Sequence, residues 1–345
     1  MPVNIYETRT MMEAINQVKP ARTFLKDTFF YKQETKLTAK VDVDIKKSKR
    51  KMAPFVSPRV GGVVITREGY ETKSISTPKI APERLLTLED INLRNMGESI
   101  YSTKTPEQRS QETLASDLIE LDECITRREE WMCRELLING KIDVSEETEN
   151  GTPIEKEINF QFSNKKTLSG EDLWSDAKSD PITKLKEARK EIIKKTGQNP
   201  DIIVMDSESA EAFINHKKVK DHFNILNMKY GVIEPSIQVD GTTFYGKIPE
   251  LGCELYSYDE WFVNDEGDET AMIPRGTVII APKDLGKMIY GAVTQMEQQD
   301  FITYEGTRVP KIYADTKNEC KNIRLTSRPV PVPFDVDSWC VMSVL

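Results

Sequence analysis

Histidine is nearly missing from this chain: 345 residues carry only His216 and His222. Six residues apart on a helix is not one face, because facing pairs lie three or four apart. Both sit among Lys217, Lys218 and Lys220, so a solvated basic helix is expected there, not a metal or catalytic pair. Cysteine is sparse and scattered. Cys124, Cys133, Cys253, Cys320 and Cys340 are odd in number and form no close C-x-x-C pair. That excludes a disulfide framework and a zinc site, and predicts reduced thiols in a cytoplasm. No apolar run approaches the ~20 residues that span a bilayer, and Met1 to Met12 lack the hydrophobic core of a secretory signal.

The glycine signatures of common enzymes are missing as well. There is no phosphate loop, no dinucleotide fingerprint and no nucleophile elbow, since Asp206-Ser207-Glu208-Ser209 lacks the flanking glycines. Asp265, Glu266, Asp268 and Glu269 do not match the spacing of a calcium loop and read as a solvated loop. No catalytic residue, cofactor or metal is therefore expected. An α/β enzyme with a carboxylate site in residues 181–300, using Asp206 or Glu208, is the remaining catalytic reading.

What is present is charge, unevenly placed. Charged residues make up 30% of the chain and hydrophobic ones 38%, with a net charge of −8. Between Lys32 and Arg59 there are nine basic and three acidic residues, leaving −14 on the rest. In this stretch Leu37, Ala39, Val41, Val43 and Ile45 alternate with polar residues, the signature of a strand with one buried face. A lysine-rich tip with Pro54 and Pro58 follows, then Gly61-Gly62 and a second extended run to Thr77. This predicts a long β-hairpin, which needs a surface to lie on because an isolated hairpin is marginal in water. Upstream, Met11, Met12, Ile15 and Val18 predict a small helix on an N-terminal arm, closed by Lys19-Pro20.

Thr105-Pro106-Glu107-Gln108 reads as an N-cap, an N1 proline and a capping box. The helix it opens has an apolar stripe of Leu114, Leu118, Leu121, Ile125, Met132 and Leu136, and stops at Asn139-Gly140. At ~1.5 Å per residue it is a rod of ~50 Å. Arg127, Arg128, Glu129, Glu130, Arg134 and Glu135 are assigned to its solvated face. Residues 141–170 read as an exposed hairpin with a loop at Glu146 to Pro153. Asp180-Pro181 starts a helix with a buried stripe of Ile182, Leu185, Ala188 and Ile192, ended by Gly197. The strand Asp201 to Met205, a helix capped by Ser207 and a turn at Val239-Asp240-Gly241-Thr242 continue an α/β unit. Leu255 to Val263 and Gly276 to Pro282 read as strands. So do Lys311 to Asp315, Asn322 to Ser327 and Asp337 to Val344. The prolines of Arg328 to Pro333 suit an edge or a connector.

This order of elements resembles the coat-protein fold of tailed bacteriophages, and the sequence is similar to the lambda-like major capsid protein family within it. The resemblance is carried by Phe24-Leu25 to Phe29-Phe30, Ala53-Pro54-Phe55-Val56 with Gly61 and Arg67, Pro78 with Leu86-Thr87, and Gly97-Glu98 before Tyr101. It continues in Arg127-Arg128-Glu129-Glu130-Trp131-Met132, Leu137 with Gly140-Lys141, Trp174-Ser175-Asp176 with Asp180-Pro181, and Gly197 with Pro200-Asp201. It ends in Arg324 to Pro333 with Asp337 and Val341. The co-linearity of these short matches is the signal.

The resemblance implies an α+β capsid fold: an N-terminal arm (1–30), an extended hairpin arm lying on a neighbour (31–85), and a peripheral domain (86–180) with a spine helix at 107–138. An axial domain (181–304) and peripheral return strands (305–345) complete it. It implies a non-enzymatic major head protein assembling as pentamers and hexamers into an icosahedral shell around double-stranded DNA. A separate scaffolding protein, a portal and a decoration protein are the implied partners, with no membrane and no isopeptide cross-link. Lys49, Arg50, Lys51, Phe55, Arg59, Arg67 and Arg84 are the candidate subunit contacts. A nanocompartment shell of the same fold is the nearest alternative.

Overall fold

In the computed structural model the described residues are 11–12, 23–45, 52, 55, 71–93, 104–146, 154–225, 236–237, 241–264, 267–297, 300–315 and 319–345. Most of the expected N-terminal helix and hairpin tip lie outside them, including Ile15 and Val18. A short helix α1 (Phe24–Phe29) leads into strands β1 (Lys32–Thr35), β2 (Lys40–Ile45) and β3 (Glu71–Ser76). Next come β4 (Glu83–Leu86), helix α2 (Leu88–Asn92) and the long helix α3 (Pro106–Asn139). Strands β5 (Lys141–Glu146), β6 (Ile154–Asn159) and β7 (Lys165–Thr167) follow, then α4 (Pro181–Thr196), β8 (Ile202–Met205), α5 (Ser207–Asn215) and α6 (Lys217–Ile225).

The remainder is β-rich: β9 (Ser236–Ile237), β10 (Thr242–Ile248), β11 (Cys253–Tyr258), β12 (Trp261–Val263), β13 (Glu269–Ala271), β14 (Thr277–Ala281) and β15 (Gly286–Tyr290). Then come β16 (Val293–Glu297), β17 (Asp300–Tyr304), β18 (Val309–Asp315), β19 (Cys320–Thr326), β20 (Pro329–Pro333) and β21 (Cys340–Ser343). No helix among the described residues is long and apolar enough to cross a membrane.

α3 has 34 residues and begins as its sequence demands. Thr105 Oγ1 accepts from the Gln108 N–H, and the Thr105 N–H donates back to Gln108 Oε1. It ends at Gly140, whose φ of 69° lies in the left-handed region. A Cβ there would also stand 2.1 Å from Phe162 Cβ, so the site needs glycine twice over.

The two halves of α3 pack on different sheets. Leu114, Leu121 and Ile125 meet Ile323 and Leu325 of the sheet β18-β19-β4. Met132, Leu136 and Leu137 enter a larger core with Ile202, Val204, Ile279 and Trp339. That core lies on one face of a seven-stranded sheet ordered β7-β21-β14-β8-β11-β10-β9. Ile203, Met205, Val278 and Ile280 point to the other face and pack with the α4 stripe and Phe213. Burial on both faces is why β8 and β14 are apolar without alternation.

Several expectations are revised. The strand expected from Lys36 to Lys46 is two pieces: β1 joins β15 in parallel, and β2 pairs with β3. The intervening bend leaves Leu37 72% exposed. The run from Leu255 to Val263 is likewise broken at 259–260 into β11 and β12. The cap of α5 is Asp206, not Ser207: Asp206 Oδ2 accepts from the Ser209 N–H and Oδ1 from the Gly276 N–H. The sequence order of domains is not the order of strand pairing. β21 joins the seven-stranded sheet beside β14, while β15 leaves it to pair with β1 and β20. The proline strand β20 is the edge of that small sheet.

Candidate assembly surfaces and the ionic hub beneath them

Where α1, α3 and the returning strands meet, charge is buried. Arg308 donates from Nε to Asp122 Oδ1 at 2.5 Å, from Nη1 to Glu129 Oε1 at 2.6 Å and from Nη2 to Thr126 Oγ1 at 3.2 Å. Lys26 Nζ reaches the other Glu129 oxygen at 2.6 Å. The adjacent Glu130 accepts the backbone N–H groups of Leu25 and Lys26, at 2.7 and 2.9 Å, and the Tyr258 hydroxyl at 3.1 Å. Glu129 is 0% and Glu130 2% exposed, which corrects their placement on the solvated face of α3. They share the inward stripe with Ile125 and Met132; distant cations make the burial of Glu129 tolerable, and neutral donors that of Glu130.

The two neighbours titrate in opposite directions. Burial pushes the Glu129 carboxyl up, but Arg308 and Lys26 outweigh it and hold it below the ordinary range. Burial also pushes Glu130 up, to about 7, overriding the three donors it accepts from. The hub ties segments 25–26, 122–130, 258 and 308 into one body, and so fixes the root of the arm against the long helix.

The arm leaves this body through β2 and β3, paired in register from Lys40↔Ser76 to Ile45↔Glu71. Val41 and Ile75 are directly opposed and both buried, so the hairpin is rooted on an apolar pair. Of the candidate contacts, Lys49, Arg50, Lys51, Arg59 and Arg67 lie outside the described residues. Phe55 is fully exposed. Arg84 is half-exposed and already engaged within the chain, bonded to Asp117 at 2.8 Å and to Glu120 of α3.

Other exposed apolar side chains were not singled out from sequence. Met296 and Phe301 oppose each other on the hairpin β16–β17, and Trp261 and Val263 stand out on β12. Large exposed apolar groups on projecting hairpins are a mark of interaction surfaces. His216 is buried, which corrects the expectation of a solvated residue; its Nε2 lies 3.1 Å from both Ser179 Oγ and the Asp176 carbonyl. Among the described residues, no group of three or more metal-ligating side chains gathers.

A rigid body cross-tied by buried charge, with a rooted hairpin arm and apolar hairpins turned outward, defines a structural subunit made to be completed by its neighbours. The chain belongs to the phage major capsid protein E family, whose model matches residues 7–344. It is 21% identical to the major capsid protein of Enterobacteria phage P21 over 350 aligned positions, gaps included, covering 99% of this chain and 100% of that one. It is 20% identical to the major capsid protein of Escherichia phage lambda over 84% of each. Its fold is similar to the crystal structure of a prophage protein of Escherichia coli CFT073 described as a capsid protein. The TM-score is 0.70 at 16% identity, covering 98% and 99% of the two chains. The α+β capsid fold and the role of major capsid protein are those the sequence resemblance implied.

Proposed function

We propose that this chain builds a closed icosahedral shell of pentamers and hexamers around double-stranded DNA, assembling in the cytoplasm of a bacterial host with a scaffolding protein. A portal is a further partner, and a decoration protein an optional one. The observation that carries this reading is the arm. Its root is fixed by Val41 and Ile75, while the stretch running from it toward Arg59 is strongly basic on an otherwise acidic chain. Opposite charge on arm and body favours contacts between copies. Residues 31–85 act as that arm, α3 and the β18-β19-β4 sheet as the peripheral body, and the seven-stranded sheet as the axial one.

Lys49, Arg50, Lys51, Arg59 and Arg67 supply charge to the contact, Phe55 its apolar anchor, and Arg84 a rim contact beside its own ion pairs. The family's role is structural; of the two carboxylates named for the catalytic alternative, Asp206 has both oxygens occupied as a helix cap and turn clamp, and Glu208 pairs with Arg275. Phe55→Asp should leave the subunit folded, with unchanged circular dichroism and melting, while lowering shell yield in sedimentation by at least about tenfold. Wild-type yield from this variant would remove Phe55 as an anchor.

A further inference from the structure

Beside the root of the arm, a groove of about 830 Å³ opens between residues 76–81, α3 and the β5–β6 hairpin. Its floor is apolar, with Pro78, Ile80, Trp131 and Val144. Its rim is cationic. Lys79 and Arg328 stand at one lip, since Ile80 bridges Ser327 and brings the two together. The cationic surface continues onto the outer face of β18–β19, where Lys311 and Arg324 are directly opposed.

Among the described residues none of these four cations forms an ion pair at contact distance, although Glu83 stands opposite Arg324, Glu146 acts on Arg328, and Glu83 and Glu297 act on Lys311. The carboxylates lining the groove are taken: Asp143 pairs with Lys141 and Glu146 with Lys156. Glu83 is bound to the Tyr313 hydroxyl. Among the described residues Arg328 donates to the Thr77 carbonyl, and Arg324 Nε meets no acceptor. Burial and the neighbouring Arg324, Arg328 and Lys311 charges push the Lys79 ammonium below its ordinary range.

We infer that this groove is the docking site for the β12–β13 hairpin of a second copy of this chain. Residues 260–271 contain Glu260, Asp265, Glu266, Asp268 and Glu269 and no basic residue. Trp261 and Val263 are exposed on this hairpin, while Phe262 turns inward against Arg134. An apolar pair flanked by carboxylates complements an apolar floor flanked by cations.

Position also fits. Arg134 holds the hairpin through the Met272 carbonyl, whereas Arg128 lines the groove. At ~100° per residue, those two side chains leave α3 roughly 120° apart. Groove and hairpin thus face different directions, as a head-to-tail contact that closes into a ring requires. The inference rests on the shell reading above and specifies one contact within it.

A charge exchange tests it. Lys79→Glu with Lys311→Glu should lower shell yield at least about tenfold, because it sets like charges against the hairpin. Asp268→Lys with Glu269→Lys should do the same, and mixing the two folded double variants, or combining all four changes, should restore assembly. Melting of the dissociated subunits should be unchanged, since none of the four side chains forms an ion pair within the described chain. Groove variants that form shells at wild-type yield overturn the docking and leave the shell reading intact. So does normal assembly with weakened DNA retention, which would make the groove a phosphate site. Failure of the wild-type chain itself to assemble would overturn the shell reading, and the docking with it.

Discussion

At the scale of single residues, the decisive feature is that Lys26, Asp122, Glu129 and Arg308 are charged, buried and mutually bonded. Removing one member of such a network strands the others. Arg308→Met should destabilise the dissociated subunit by about 3–5 kcal/mol in denaturant unfolding, mostly from leaving Glu129 half-paired. Replacing Lys26, Glu129 and Arg308 together with apolar residues of similar volume should cost far less, since no charge is then left alone. Glu130 gives a pH signature. Its carboxyl is raised from 4.5 to about 7 on folding, so the native state holds an extra proton between those values. Stability from this group is full below the lower value and declines as pH rises through the upper one. The dissociated subunit should therefore melt higher near about pH 5.5 than near about pH 8, and Glu130→Gln should flatten that slope. A slope that survives the substitution would assign it to other groups.

At the scale of elements, the long helix shows what a sequence can and cannot convey. Its ends were legible because capping is local chemistry: Thr105, Pro106 and Gln108 act within four residues, and Gly140 alone supplies the left-handed turn. Gly140→Ala meets both a positive φ and the Phe162 side chain, and should cost more than the ~1 kcal/mol of a lost cap such as Thr105→Ala. Unfolding midpoints of the two variants make the comparison.

The inward face was only half legible. Leu121, Ile125 and Met132 followed the 3.6-residue period, but Glu129 and Glu130 were assigned outward because carboxylates usually are. The partners Lys26 and Arg308 of Glu129, and the Leu25 and Lys26 amides and Tyr258 hydroxyl that meet Glu130, lie over a hundred residues away, so no local pattern announces them. His216 was misplaced for the same reason, since the carbonyl of Asp176 and the hydroxyl of Ser179 that hold it lie in a separate loop. The pairing of β15 with β1 and of β21 with β14 is likewise set between distant strands. Of the candidate contacts, Phe55 lies on the surface and Arg84 on β4, ion-paired to the long helix, while the exposure of the hairpins β12–β13 and β16–β17 has no sequence signal. Exposure of Trp261 or Phe301 is a property of the folded surface, and β propensity alone favours those residues equally in a core.

At the scale of the molecule, the organisation is one rod joining two sheets, with charge segregated between arm and body. In the assembly proposed above, the acidic body limits adhesion to nucleic acid, because phosphate binding needs clustered cations, and the basic arm serves neighbouring copies. Many modest contacts then sum through multivalency, so a subunit without a large apolar face can still make a stable shell. The most direct test is negative-stain electron microscopy with light scattering on the purified chain, alone and with a candidate scaffolding protein. Closed shells, or pentamers and hexamers that close when scaffold is added, are the predicted result. A monodisperse monomer or dimer that never assembles under either condition would contradict the account.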